Sequence, residues 1–256
     1  MSDDRIAYVN ARLLDPASGL DSTGALLIED GQIADFGPNL FKSGAPSVDK
    51  VIDCKGLCLA PGLIDMRVQI REPGYEHKGT YETATLAASA GGVTSMVALP
   101  NTDPVIDDEA GVRYVARRAR QLKRTKIYSY GAITKNLEGK ELTELGILRD
   151  AGAVAFTDAT KAVENANVMR RALSYSTAFD LLLVQHCEEP NLTKSGAMNG
   201  GELASRLGLP AIPRLSEVMM LERDLRLVEM TNARYHAANI TTREAIEVMK
   251  RAKDRG

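Results

Sequence analysis

The chain has 256 residues, 44% hydrophobic and 26% charged, enough for one large α/β domain and a small appendage, with no disorder to be invoked. Lys+Arg 32 against Asp+Glu 34 leaves a formal charge of -2, so no global field favours nucleic acid or an anionic membrane, and neither is expected as a partner. The start, MSDDRIAYVNARLLD, has neither a basic nor an apolar leader region, and no later run approaches the roughly 18 apolar residues of a spanning helix, so a cytoplasmic address is expected. Cys54, Cys58 and Cys187 are too few and too scattered for a disulfide framework and are expected to be small buried structural residues.

Residues 5–59 carry short alternating runs broken by turn signals: IAYVNARLLD, then Pro16-Ala17-Ser18-Gly19, then ALLIEDGQIADFG, where Asp30-Gly31 marks a two-residue hairpin. This predicts a small antiparallel β unit. From Pro61 the texture changes to apolar strands alternating with helical patterns. Strands are expected at GLIDMRVQI, 92–100, 126–133, 153–158, 180–186 and 233–240, and helices near 79–90, 107–124, 140–150, 162–177, 214–230 and 242–254. The second helix opens on Asp107, Asp108 and Glu109 and closes on Arg117, Arg118, Arg120, Lys123 and Arg124, the order a helix dipole prefers. That basic run reads as a solvated helix end. The last helix opens with a capping box, Thr241-Thr242-Arg243-Glu244.

The fold class that follows is α/β: an incomplete (β/α)8 TIM-type barrel of about six βα units over 61–256, preceded by a small N-terminal β-sandwich portion over 1–60. A doubly wound open sheet competes, but no Gly-rich nucleotide loop follows an early strand.

The most telling segment is Pro61-Gly62-Leu63-Ile64-Asp65-Met66-Arg67-Val68-Gln69-Ile70-Arg71-Glu72-Pro73-Gly74. With AASAGGVTSMVALPNTDPV, GAVAFTDATKAV, LLVQHCEEPNL, GAMNGG, LGLPAIP and YHAANITTREAIEVMKRAK, it resembles dihydroorotase, a metal-dependent amidohydrolase family, over nearly the whole chain. The Arg-Glu-Pro-Gly and Pro-Asn-Thr pieces favour that family over allantoinase and dihydropyrimidinase. In such enzymes two histidines one residue apart leave the first strand on one face and hold one or two metal ions. Here the resemblance puts Arg67 and Gln69 at those positions. Arginine has no lone pair to give, and an amide oxygen is a weak zinc ligand.

The same resemblance implies a carboxylate after the fourth strand, where Thr157-Asp158-Ala159-Thr160 keeps one aspartate and loses its neighbour. It implies a histidine ligand at the fifth strand, kept as His186, and another after the sixth, replaced by Asn239. His186 and Asp158 are therefore expected to be vestigial metal positions. An aspartate general base after the eighth strand would lie past Gly256, and with six βα units where the family usually has eight, the sequence is expected to be a fragment or a truncated reading frame. Arg71 and Asn101 survive, and in the family this pair holds the substrate carboxylate. His77, in a polar loop, is expected to be solvated, and His236 to be a satisfied core or strand-end residue. Cys187 beside His186 should point to the opposite face of its strand.

The resulting expectation is a non-catalytic, dihydroorotase-like protein of pyrimidine biosynthesis. No catalytic residue or cofactor is expected, and the resemblance supplies a structural role beside the aspartate carbamoyltransferase catalytic subunit, with self-association as a further option. Two alternatives stand: an active dihydroorotase or cyclic amide hydrolase with an atypical zinc site, and a carboxylate-ligand binding module using Arg71 and Asn101.

Overall fold

The computed structural model describes residues 5–42, 44 and 47–256. They form two compact units, one ending at Leu63 and one over Ile64–Gly256. The first is a single five-stranded sheet of β1 (Ile6–Asp15), β2 (Leu20–Glu29), β3 (Gln32–Gly37), β4 (Lys50–Asp53) and β5 (Cys58–Leu59). Asp30 and Gly31, with φ of 52° and 73°, make the tight turn between β2 and β3 that their residue types predict. The sheet is mixed, which corrects the antiparallel expectation: β2 lies antiparallel to β1, whereas β4 and β5 lie parallel to it. The long connection after β3 allows this, because a parallel neighbour must enter from the same end of the sheet. Cys54 is half-buried and Cys58 exposed, so the burial expected of these two fails.

The second unit alternates strand and helix. It runs β6 (Leu63–Val68), α1 (Tyr81–Ala90), β7 (Val93–Ala98), α2 (Glu109–Leu122), β8 (Lys126–Gly131), α3 (Leu145–Ala151), β9 (Ala153–Phe156), α4 (Ala166–Thr177) and β10 (Leu182–His186). An excursion follows, α5 (Pro190–Thr193), β11 (Met198–Asn199), α6 (Glu202–Leu207) and β12 (Ala211–Ile212), before α7 (Leu215–Thr231), β13 (Arg234–Ala238) and α8 (Arg243–Lys253). The six long strands form one sheet in the order β13-β10-β9-β8-β7-β6. Neighbours from β7 to β13 run parallel, as βα units require, and the sheet is a partial barrel. Among the described residues no helix is long and apolar enough to cross a membrane.

Alternation along the strands divides the core. On β7, Met96 and Ala98 join the cluster under the helices, while Val97, and Leu99 just beyond, join Tyr130, Ala155, Val184 and Ala238 on the opposite face. Local hydrogen bonds decide where the helices start. The Asn165 side chain accepts from the Asn167 and Val168 amides, so α4 begins at Ala166 and not near 162. The helix expected from 140 begins only at Leu145, because Leu142 is bridged to Thr134 and the Thr143 hydroxyl donates to the Ala132 carbonyl at 2.7 Å. The excursion between β10 and α7 escapes a periodicity reading because its elements are too short to show a period.

Candidate functional site

Parallel strands bring their C-terminal ends to one edge of the sheet, where Arg67 and His186 lie at the ends of their strands and the segments that follow the strands carry Gln69, Arg71, His77, Asn101, Asp158, Cys187 and Asn239. Arg67 occupies the end of β6. Its Nη2 donates to the Ala159 carbonyl after β9 at 3.1 Å, so the side chain reaches across the intervening strands. Its Nη1 is buried with no partner among the described residues. Burial pulls the guanidinium down from its ordinary value, and the nearby Tyr130 phenol is pushed up, also chiefly by burial. Gln69, two residues on, is exposed.

Asp158 is buried, and its carboxylate turns to the loop after β8. Oδ1 accepts the backbone amides of Ile133 and Thr134, both at 2.9 Å, and Oδ2 accepts the Thr134 hydroxyl. Burial raises this carboxyl, and the three donors oppose the rise. The next residue, Ala159, sits in the interior cluster with a left-handed φ of 60° and presents only a methyl group and the carbonyl taken by Arg67.

His186 ends β10. Its Nε2 lies 2.9 Å from Glu188 Oε2, and its Nδ1 is buried with no partner among the described residues. Thr160, Lys161, Glu164 and Glu188 help line a cleft of about 400 Å³ beside it. Cys187 takes the opposite face, against Met220 and Leu221 of α7, with Sγ 3.2 Å from the Tyr235 hydroxyl. Burial pushes its thiol up to about 12. Asn239, after β13, is exposed with φ of 57°. His77 is exposed on a single helical turn at Glu76–Lys78. His236 is also exposed, mid-strand on β13 opposite Val184, so it is not the satisfied core or strand-end residue expected. The sheet edge leaves that face uncovered among the described residues.

A hydrolytic zinc site needs about three convergent protein donors and an open position. These residues do not fit one. Arg67 brings a cation, the Asp158 carboxylate is turned to the Ile133 and Thr134 donors of the neighbouring loop, and His186 pairs Nε2 with Glu188 and leaves Nδ1 as a lone donor atom, one where three are needed. Among the described residues no group of three or more His, Cys, Asp or Glu is placed to share an ion.

The loops after β6 and β7 are built differently. Arg71 is half-buried and Asn101 likewise, and neither side chain has a partner among the described residues. Pro73 accepts the Asp103 amide at 3.1 Å, tying the two loops together. Glu72 is buried and accepts from the Tyr81 amide, the Tyr114 hydroxyl and Arg118 Nε at 2.9, 2.8 and 2.9 Å. Arg118 is therefore a paired residue, which corrects its place in a solvated basic run. Sequence reasoning missed Glu72, Tyr114 and Tyr130, because nothing local marks which polar residue turns inward. A second missed anchor is Glu217 of α7, which accepts the amide and hydroxyl of both Thr241 and Thr242 at 2.7–3.0 Å.

Comparison with known proteins supplies the lineage. The family model described as Dihydro-orotase-like matches residues 56–245. The chain belongs to the dihydroorotase-like family. It is 44% identical over 252 residues to the dihydroorotase of Syntrophotalea carbinolica, covering 98% of this chain and 58% of that protein. The dihydroorotase of Wolbachia sp. subsp. Drosophila simulans is 45% identical over 253 residues, with 98% and 56% covered. The chain thus spans a little over half the length of these relatives. Among solved structures, the L-hydantoinase (dihydropyrimidinase) of Arthrobacter aurescens superposes with a TM-score of 0.78 at 20% identity, over 99% of this chain and 56% of that one. The dihydropyrimidinase of Brevibacillus agri gives 0.74 at 19%, over 98% and 55%. At that identity the likeness is one of fold.

Proposed function

We propose that this dihydroorotase-like chain acts in pyrimidine biosynthesis without hydrolytic chemistry, as a structural partner of the aspartate carbamoyltransferase catalytic subunit in the cytoplasm. The observation that supports it is the Arg67 guanidinium, anchored on the Ala159 carbonyl at the strand end where the family resemblance puts a metal ligand. A permanent cation there repels a divalent ion and adds no donor, so the substitution works against metal binding twice over. A retained scaffold with an erased ligand set suits a protein kept for its surface. The expected results are less than stoichiometric zinc by elemental analysis, no ring closure of carbamoyl aspartate, and co-purification with the transferase. Stoichiometric zinc with chelator-sensitive turnover would overturn this and favour an active cyclic amide hydrolase with an atypical zinc site.

A second reading, a carboxylate-binding module, is favoured by the unpartnered Arg71 and Asn101 side chains on loops bonded to each other. An arginine fork and an amide bind a carboxylate without any metal. Calorimetric titration with dihydroorotate and with carbamoyl aspartate tests it: binding at millimolar concentration or tighter is expected, and no heat would remove it.

A further inference from the structure

We propose that Glu72 is the positioning residue for Arg71, holding the loop that carries it in the shape that receives a ligand carboxylate. This role rests on the carboxylate-binding reading above. Glu72 is the sequence neighbour of Arg71, yet the two do not pair. Glu72 is 7% exposed, and its carboxylate receives three donors from two helices: the Tyr81 amide at the first turn of α1, and the Tyr114 hydroxyl and Arg118 Nε on α2. Arg118 in turn donates Nη1 to Gln121 at 2.9 Å. The negative charge beside Arg71 is thereby committed elsewhere, and the Arg71 guanidinium has no partner among the described residues.

The other side of the loop is fixed as firmly. The Tyr75 amide donates to the Arg71 carbonyl at 2.8 Å, closing the turn, and the Asp103 amide donates to the Pro73 carbonyl at 3.1 Å. Gly74 has φ of 94°, and a Cβ there would come within 2.3 Å of the Asp103 carbonyl oxygen, so the two loops touch backbone to backbone. Asn101 lies on that second loop with its amide unpartnered. Two ligand-binding groups thus stand on a frame clamped to α1 and α2 through one buried carboxylate. Binding then loses little backbone freedom, which is what preorganisation supplies.

The test is calorimetric titration of the chain with dihydroorotate and carbamoyl aspartate, using wild type, Glu72→Gln, Arg71→Gln and the double variant, with thermal melting of each. Glu72→Gln is expected to weaken binding about tenfold or more, the scale seen when support around a binding group is removed. In the Arg71→Gln background the same change should cost no more than about twofold further, because coupled residues do not add. A merely structural glutamate would lower the melting temperature equally in both backgrounds and give additive affinity losses. Additive losses, or a Glu72→Gln affinity within about twofold of wild type, would overturn the role while leaving the carboxylate reading intact. No wild-type binding would remove both. Tyr114→Phe deletes one of the three donors and serves where Glu72→Gln does not fold, with a smaller loss of about threefold and the same non-additivity.

Discussion

Replacing Arg67 by methionine tests whether its guanidinium is a strut or an uncompensated charge. The substitution deletes the 3.1 Å bond to Ala159 and leaves that carbonyl short of a donor, a cost of about 1–3 kcal/mol. It also deletes Nη1, buried without a partner, whose desolvation already costs the folded state about 1–3 kcal/mol. Methionine fills much of the same length with a flexible apolar chain and has no charge to desolvate. The two terms oppose each other at similar size, so the expected change is within about 1 kcal/mol of zero. Arg67→Lys should be the worse substitution, because a compact ammonium keeps the desolvation cost and loses the fork. The assay is urea denaturation, reading the shift in midpoint at constant slope. A loss of about 3 kcal/mol or more for Arg67→Met would refute the reasoning and make the guanidinium a fully compensated bridge.

Glu217→Ala removes four hydrogen bonds to Thr241 and Thr242, the residues that open α8, and at about 1 kcal/mol each the expected loss is about 4 kcal/mol by the same assay; a loss below about 1 kcal/mol would contradict it. A thiol reagent at neutral pH should label exposed Cys58 quickly and buried Cys187 only after unfolding, and rapid native labelling at Cys187 would contradict its placement. The Cys187 thiol, raised from an ordinary 9.0 to about 12, keeps its proton in the folded state where the unfolded chain has lost it, so stability should fall as pH rises from 9 to 12. That slope should weaken in Cys187→Ala.

Several site features were legible because they depend on nearest neighbours. Asp30-Gly31 turns tightly on its own φ preferences, and the opposite orientation of Cys187 and His186 follows from strand alternation. The cap of α8 was legible only to within one residue: the capping box Thr241-Thr242-Arg243-Glu244 puts Thr241 at the cap, whereas Thr242 is the cap and accepts the Ala245 amide, so the expected box is not formed. The partners of long polar side chains were not legible. Arg118 sits in a run of five basic residues, and only the fold shows that it turns in to Glu72 while Arg120 stays exposed.

The alternation of the six barrel strands with their helices, the partial barrel they build and the chemical identity at each strand end were determined by sequence alone, since period and residue type are local properties of the chain. Tertiary structure decided what those side chains do. The Asp158 carboxylate is engaged by Ile133 and Thr134, some 25 residues away in the chain, and Arg67 reaches a carbonyl 92 residues distant. Hydrogen-bond partners and burial are set by which strands lie side by side, and spacing along a single segment carries no record of that.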